Sequence, residues 1–168
     1  MKTITLIGGG VFIIKLIEEL AETLPLQKLC IRMIARRYPR LQKIATHASA
    51  RIAHKKPQWN IEPCQTQEQA LVDSDIIVPL LRIGGLKARS YDECFPPNFG
   101  LAGDEGLGVG GMANAWRSIP ILLEWAKVIK QWAPKATILN MVAPLGATTQ
   151  MFHTQHSGKV WGICELPT

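Results

Sequence analysis

The sequence has no two cysteines placed to act together. Cys30, Cys64, Cys94 and Cys164 stand at least 30 positions apart, with no C-x-x-C pair. That spacing argues against both a zinc knuckle and a disulfide scaffold. Long apolar runs are also missing. None approaches the ~20 residues that a helix needs to cross a bilayer. Charged residues make up only 19% of the chain against 47% hydrophobic, which is the composition of a globular protein and not a disordered one. Lys2 followed by TITLIGGGVFII has the outline of a short signal peptide, but no small-residue cleavage site follows. Three consecutive glycines suit a turn better than a signal helix, so a cytoplasmic protein is expected. What is present is 168 residues. That is one domain, expected over residues 1–168, long enough to bury roughly 70% of its unfolded surface.

Charge is unevenly placed. Up to Lys56 the chain carries 11 Lys/Arg and 3 Asp/Glu; the rest carries 8 and 10. Basicity therefore belongs to one segment. Much of it falls on a helix expected from Arg40 to about His54. Leu41, Ala45, Ala48 and Ile52 form the apolar face there, and Arg40, Lys43, His47, Arg51 and His54 form a basic stripe. With no aromatic stacking cluster beside it, the stripe reads as a solvated face and not as a nucleic-acid surface.

Elements alternate along the chain. TITLI (3–7) is a strand ending in Gly8-Gly9-Gly10, and Ile13, Ile17, Leu20 and Leu24 mark a helix that Pro25 stops. Further strands are expected at LCIRMI (29–34), Trp59–Cys64, DIIVPLL (75–81), TILNMVA (137–143) and KVWGIC (159–164). Helices are expected near Gln67–Leu71, from Ser118 with Pro120, and from about Ala147 to His156. Residues 82–112 read as a long glycine- and charge-rich loop, a kind of segment that is usually functional. Six strands with helices between them predict an α/β fold. Its sheet is a doubly wound, parallel, six-stranded Rossmann sheet in the order 3-2-1-4-5-6.

The turn after strand one carries the first chemistry. Gly8 and Gly10 fit the first two positions of G-x-G-x-x-G, with Val11 between them and the helix; the third position is Ile13. Such a turn presents backbone N–H groups and a helix N-terminus to a pyrophosphate. Strand two would ordinarily end in an acid that holds the adenosine ribose. Here the position is near Met33, and Arg36 and Arg37 follow. Two readings stand open: the arginines face a 2′-phosphate, favouring NADP over NAD, or they are solvated loop charges.

The stretches RIGGLKAR (82–89), DECFPPNFGLAGDEGLGVGG (92–111), ANAWRSIP (113–120), ILNMVAP (138–144) and GICELP (162–167) closely resemble the N-terminal domain of the family 4 glycoside hydrolases. These are NAD- and manganese-dependent 6-phospho-glucosidases and their relatives. With the glycine turn, the resemblance covers the whole chain in order. It implies a fold like lactate and malate dehydrogenases, and redox-assisted cleavage of glycosides, an exception to two-carboxylate hydrolysis. Bound NAD takes hydride from C3 of the sugar and acidifies the C2 proton. A base removes that proton, the glycosidic oxygen is eliminated, water adds and the hydride returns, with a divalent metal polarising the C2 and C3 oxygens.

Carried over position by position, the resemblance puts Gly8 and Gly10 at the pyrophosphate, with Val11 beside them. Arg82, Glu105 and Asn140 would line the cofactor and sugar side, and Arg89 would meet the substrate phosphate. Cys164 matches a metal-ligand cysteine and Glu165 an acidic proton donor. Each has an ordinary alternative: Arg89 paired with Asp92 or Glu93, Cys164 a small hydrophobe, Glu165 a chain-end charge. The resemblance also implies a sugar-phosphate substrate and a homo-oligomer.

Departures bear on activity. The family's N-x-x-N-P has become Asn140-Met141-Val142-Ala143-Pro144, which puts Ala143 where relatives carry a substrate-contacting asparagine. The second metal ligand, a histidine, and the tyrosine base lie beyond residue 168 in relatives. The expectation is a chain without the C-terminal catalytic domain, inactive alone. His153 and His156, three apart on a helix, are candidates for a substitute metal site with Cys164. The competing reading is a stand-alone NAD(P)-binding module without glycosidase activity.

Overall fold

The computed structural model of the chain describes residues 1–164. The chain folds into two compact units, Met1–Leu80 and Leu81–Thr168.

The first unit alternates strand and helix throughout: β1 (Lys2–Ile7), α1 (Phe12–Thr23), β2 (Leu29–Ile34), α2 (Tyr38–Ile52), β3 (Trp59–Cys64), α3 (Gln67–Leu71) and β4 (Ile76–Pro79). β1 pairs in parallel with β2 and with β4, and β2 with β3. Parallel strands need crossover helices on both faces, so their residues are apolar on both sides. Leu6, Ile7, Leu29, Ile31 and Met33 accordingly show no exposed surface. α2 buries Leu41, Ala45, Ala48 and Ile52 as its spacing predicts, and Ile44 with them; α1 buries the expected Ile13 and Ile17, but Ala21 takes the core position while Leu20 and Leu24 are only half-buried. α3 starts on a capping box in which Thr66 accepts from the Gln69 N–H and the Gln69 side chain accepts from the Thr66 N–H. The basic stripe of α2 is exposed along its length, as a solvated face should be.

The second unit comprises α4 (Gly85–Cys94), a short 3₁₀ turn (Pro96–Phe99), α5 (Gly108–Trp132), β5 (Thr137–Asn140), α6 (Leu145–Gln155) and β6 (Val160–Gly162), with β5 and β6 parallel. Within the first unit the strand order is β3-β2-β1-β4, and within the second β5 lies beside β6, each as the expected doubly wound order has it. Among the described residues no helix is long and apolar enough to cross a membrane.

Two expectations need correction here. Residues 82–112 are not one loop, because α4, the 3₁₀ turn and the start of α5 lie within them. α5 begins at Gly108, ten positions before Ser118, and Pro120 lies inside it. The glycines misled because they serve close approach and not flexibility. A Cβ on Gly110 would lie 2.3 Å from the carbonyl oxygens of both Asp92 and Asp104, and one on Gly111 would lie 2.6 Å from the Gly106 carbonyl carbon. Ser118 is no cap; its hydroxyl donates to Asn114 Oδ1 at 2.9 Å in mid-helix.

Candidate functional site

In the first unit, β1 runs into a turn that only glycine can make. Gly8 has φ +150°, and a Cβ on it would sit 2.7 Å from the Leu80 carbonyl oxygen. Its N–H donates to the Ile34 carbonyl at 2.9 Å, locking the turn to the end of β2. Gly9 is crowded by Ala35, whereas nothing lies within 4 Å of a Cβ built on Gly10. Val11 and Phe12 are exposed at the start of α1, which has no side-chain cap and no acid in its first turn. The positive end of the helix dipole is thus not neutralised locally. Ile13, at the third motif position, is buried and supplies packing that glycine would give elsewhere.

At the end of β2, Met33 is buried, and Arg36 and Arg37 are exposed, with Arg37 directly preceding α2. Cys30 and Cys64 are buried, and burial pushes both thiols above the ordinary thiol range.

The second unit holds a cleft of about 80 Å³, lined by Arg82, Gly85, Arg89, Glu105, Asn114 and Arg117, with Met141 and Ala143 also on its wall. Glu105 is its hub. Arg82 donates to both Glu105 oxygens at 3.2 and 2.9 Å, and Arg89 Nε lies 3.4 Å from Oε1. Arg89 also donates to Glu93 at 2.7 Å, one turn along α4, so the pairing with Glu93 considered above is present. The loop reaches this position through tight turns: Asp104 Oδ1 accepts from the N–H groups of Gly106 and Leu107, and a Cβ on Gly103 would lie 1.9 Å from the Glu93 carbonyl oxygen.

Sequence reading missed a second layer. Asp92 is fully buried and makes a two-oxygen ion pair with Arg117. Arg117 also donates to Asn114 Oδ1 at 3.1 Å. The signal was an Asn-x-x-Arg-Ser spacing, which puts Asn114, Arg117 and Ser118 on one helix face.

Asn140 is placed differently from Arg82, Arg89 and Glu105. It is wholly buried at the end of β5, where its amide donates to Thr148 Oγ1 (2.8 Å) and Thr149 Oγ1 (3.0 Å) and its oxygen accepts the Val142 N–H (3.2 Å). It thereby shapes the turn carrying Met141 and Ala143.

Cys164 is exposed past the end of β6, and Glu165 lies outside the described residues. The histidine pair does not assemble with Cys164. His153 is exposed, while His156 is buried with Nε2 2.7 Å from the Ala136 carbonyl oxygen. Among the described residues no three metal-ligating side chains cluster.

A parallel sheet with a glycine turn leading into α1 defines a doubly wound α/β domain of the dinucleotide-binding type. The chain belongs to the family 4 glycosyl hydrolases, whose sequence model matches residues 3–168. A protein of Bacillus subtilis (strain 168) described as a probable 6-phospho-beta-glucosidase is 30% identical to it, over 99% of this chain and 39% of that protein. The 6-phospho-beta glucosidase of Thermotoga maritima, solved with NAD and glucose-6-phosphate, superposes with a TM-score of 0.83 at 26% identity, over 98% of this chain and 40% of that one. A second structure of that enzyme, with manganese, NAD+ and glucose-6-phosphate, gives 0.81. Malate dehydrogenase from Plasmodium falciparum shares the fold, with a TM-score of 0.67 at 19% identity. The chain spans about two fifths of the length of the curated relatives it matches.

Proposed function

We propose that this chain is the NAD(P)-binding domain, over residues 1–168, of a glycosidase that cleaves 6-phosphorylated glycosides by redox-assisted elimination. The observation that carries the reading is the cleft where Arg82 and Arg89 converge on Glu105, in a chain whose family is established. Paired guanidinium groups around one carboxylate suit a ligand with both phosphate and hydroxyl groups. One fork binds the phosphate, and the other fork and the carboxylate meet the hydroxyls. In this reading Arg89 meets the phosphate, Arg82 and Glu105 face the sugar, and Asn140 acts through the turn it holds.

The glycine turn fits a dinucleotide. The space over Gly10, the exposed backbone at Val11 and the uncapped start of α1 leave room and favourable charge for a pyrophosphate. NAD, when bound, supplies the hydride acceptor and donor. Arg36 and Arg37, exposed where relatives of the dinucleotide-binding type carry an acid, support acceptance of NADP as well. Manganese fits less well: Cys164 is the candidate ligand, and the described residues supply no companion set. By its resemblance to the family, Glu165 is the proton donor in this reading. The family reading also carries a homo-oligomer working in the cytoplasm.

Calorimetric titration tests the proposal. Saturable binding of NAD and of glucose-6-phosphate, with no turnover of a 6-phospho-glucoside by the chain alone, is the expected result. Failure of the parent chain to bind either ligand would sink it. Ala143 on the cleft wall favours a second reading, a binding module without glycosidase activity. Binding of NAD(P) with no response to glucose-6-phosphate would select that reading.

A further inference from the structure

One guanidinium in the second unit holds two pieces of chain directly and a third through a neighbour on its own helix. Arg117 Nε donates to the Ile83 carbonyl at 3.1 Å, just ahead of α4. Its terminal nitrogens grip both oxygens of buried Asp92 inside α4. The same group donates to Asn114 Oδ1, and Asn114 Nδ2 donates to the Glu105 carbonyl at 3.0 Å. Gly84 makes room for this, since a Cβ there would lie 3.0 Å from Arg117 Nε. The side chain thus connects the strip that carries Arg82, the helix that carries Arg89, and the loop that carries Glu105.

From this arrangement we infer that Arg117, set by Asp92, is a positioning residue that fixes the spacing of Arg82, Arg89 and Glu105 for an anionic ligand. The inference deepens the proposed function and rests on it for the ligand's identity. The physical argument is geometric. A planar fork with five donors in fixed directions makes all four hydrogen bonds to Ile83, Asp92 and Asn114 at once, which an ammonium with three donors cannot. Asp92 has no exposed surface, so its charge is compensated in place and cannot relax toward water. Glu105 is bound at its backbone by Asn114 and at its carboxylate by two arginines, so a shift of Arg117 moves the whole cradle.

Arg117→Lys keeps the charge and removes the fork; Arg117→Ala removes both. Two readouts apply to the full chain: hydrogen exchange at the Gly106 and Leu107 amides, and titration with glucose-6-phosphate and with NAD. In R117K, exchange at those amides should speed up about 10-fold. Glucose-6-phosphate affinity should fall about 30-fold, the scale of lost charge-assisted hydrogen bonds. NAD affinity should stay at the parental value. Guanidinium ion at millimolar concentration should restore part of the phosphosugar affinity in R117A. If R117A does not fold, R117K alone decides. Parental loop exchange in R117K overturns the inference, and so does a loss of NAD affinity equal to that of glucose-6-phosphate. Should the parent fail to bind glucose-6-phosphate, the proposed function fails while loop exchange in R117K still decides this point.

Discussion

The two units bury different chemistry. In the first, the buried polar side chains are Thr3, Thr5 and Ser74, short hydroxyl groups. Thr5 and Ser74 bond to each other and to the Ala70 carbonyl. In the second, Asp92, Asn114, Ser118, Asn140, Thr148 and His156 are buried, and most of them bond to one another or to loop backbone. An apolar core tolerates repacking, whereas a buried polar network holds one arrangement and is costly when partly broken. The first unit is built as a scaffold, and the second is built to hold side chains in position.

The largest contrast should come from two glycines. Gly110→Ala drives a Cβ against two backbone carbonyl oxygens that cannot step aside. A cost of about 3 kcal/mol is expected, at the upper end for overpacking. For a chain this long that is a fall in melting temperature of about 10 °C. Gly10→Ala meets no atom within 4 Å and should leave the melting temperature unchanged. Its effect should appear instead as about a 10-fold loss of NAD affinity, because the added methyl blocks backbone approach to the pyrophosphate. Equal thermal effects of the two substitutions would break the comparison. Next in size, Asn140→Ala leaves the Val142 N–H without its acceptor and Thr148 and Thr149 without a donor. About 2 kcal/mol should be lost in a urea melt.

The same contrast explains what could be read ahead of the structure. Periodicity finds residues that pack on an apolar face, and in the first unit nearly everything does. Leu41, Ala45, Ala48 and Ile52 of α2 are all buried as their spacing predicts. In the second unit α4 buries only Asp92, and the first turns of α5 bury Gly110, Gly111 and Asn114. No hydrophobic period marks either stretch, so both read as loop. Arg82, Arg89 and Glu105 were legible because charged residues in a glycine-rich stretch, matched to a family, invite attention. Arg117 falls one residue ahead of the helix start that Ser118 and Pro120 suggest, so its reach back to Asp92 was not legible. Nor was the burial of Asn140, which depends on two threonines of the following helix.

A smaller effect probes the seam of the first unit. Lys2 Nζ lies 2.6 Å from Asp75 Oδ1, and the Thr3 N–H donates to Oδ2 at 2.8 Å. The Lys2 hydrogen bond, the largest influence, holds the Asp75 carboxyl below the ordinary carboxylate range; burial opposes it, and the Thr3 N–H and the Lys2 charge add to the lowering. A depressed folded value means the stabilisation is present above the unfolded value and is lost as pH falls through the folded one. Asp75→Asn should therefore lower stability at about pH 7 and converge on the parent in acid, once pH falls below the depressed folded value. Lys2 is largely exposed, so the neutral-pH loss should stay under about 1 kcal/mol. Urea midpoints at neutral pH and in acid check it; a loss that persists in acid would assign the effect to packing.

The smallest perturbation is chemical labelling, which reads both units without substituting a residue. Each unit holds one pair of cysteines: Cys30 and Cys64 buried in the first, Cys94 and Cys164 exposed in the second. Only a thiolate alkylates. Burial raises the first pair's pKa values chiefly by desolvation and also shields the sulfur from reagent. Iodoacetamide on the native chain should modify Cys94 and Cys164, with Cys30 and Cys64 reacting only as the first unit opens. Followed across a urea titration by peptide mass, the onset of Cys30 and Cys64 labelling reports opening of the apolar unit by itself. If Gly110→Ala leaves that onset in place while it loosens the second unit, the polar network and the apolar scaffold are stabilised separately. If the onset moves by the full loss in stability, the two units unfold as one, and the difference in their interiors serves positioning alone.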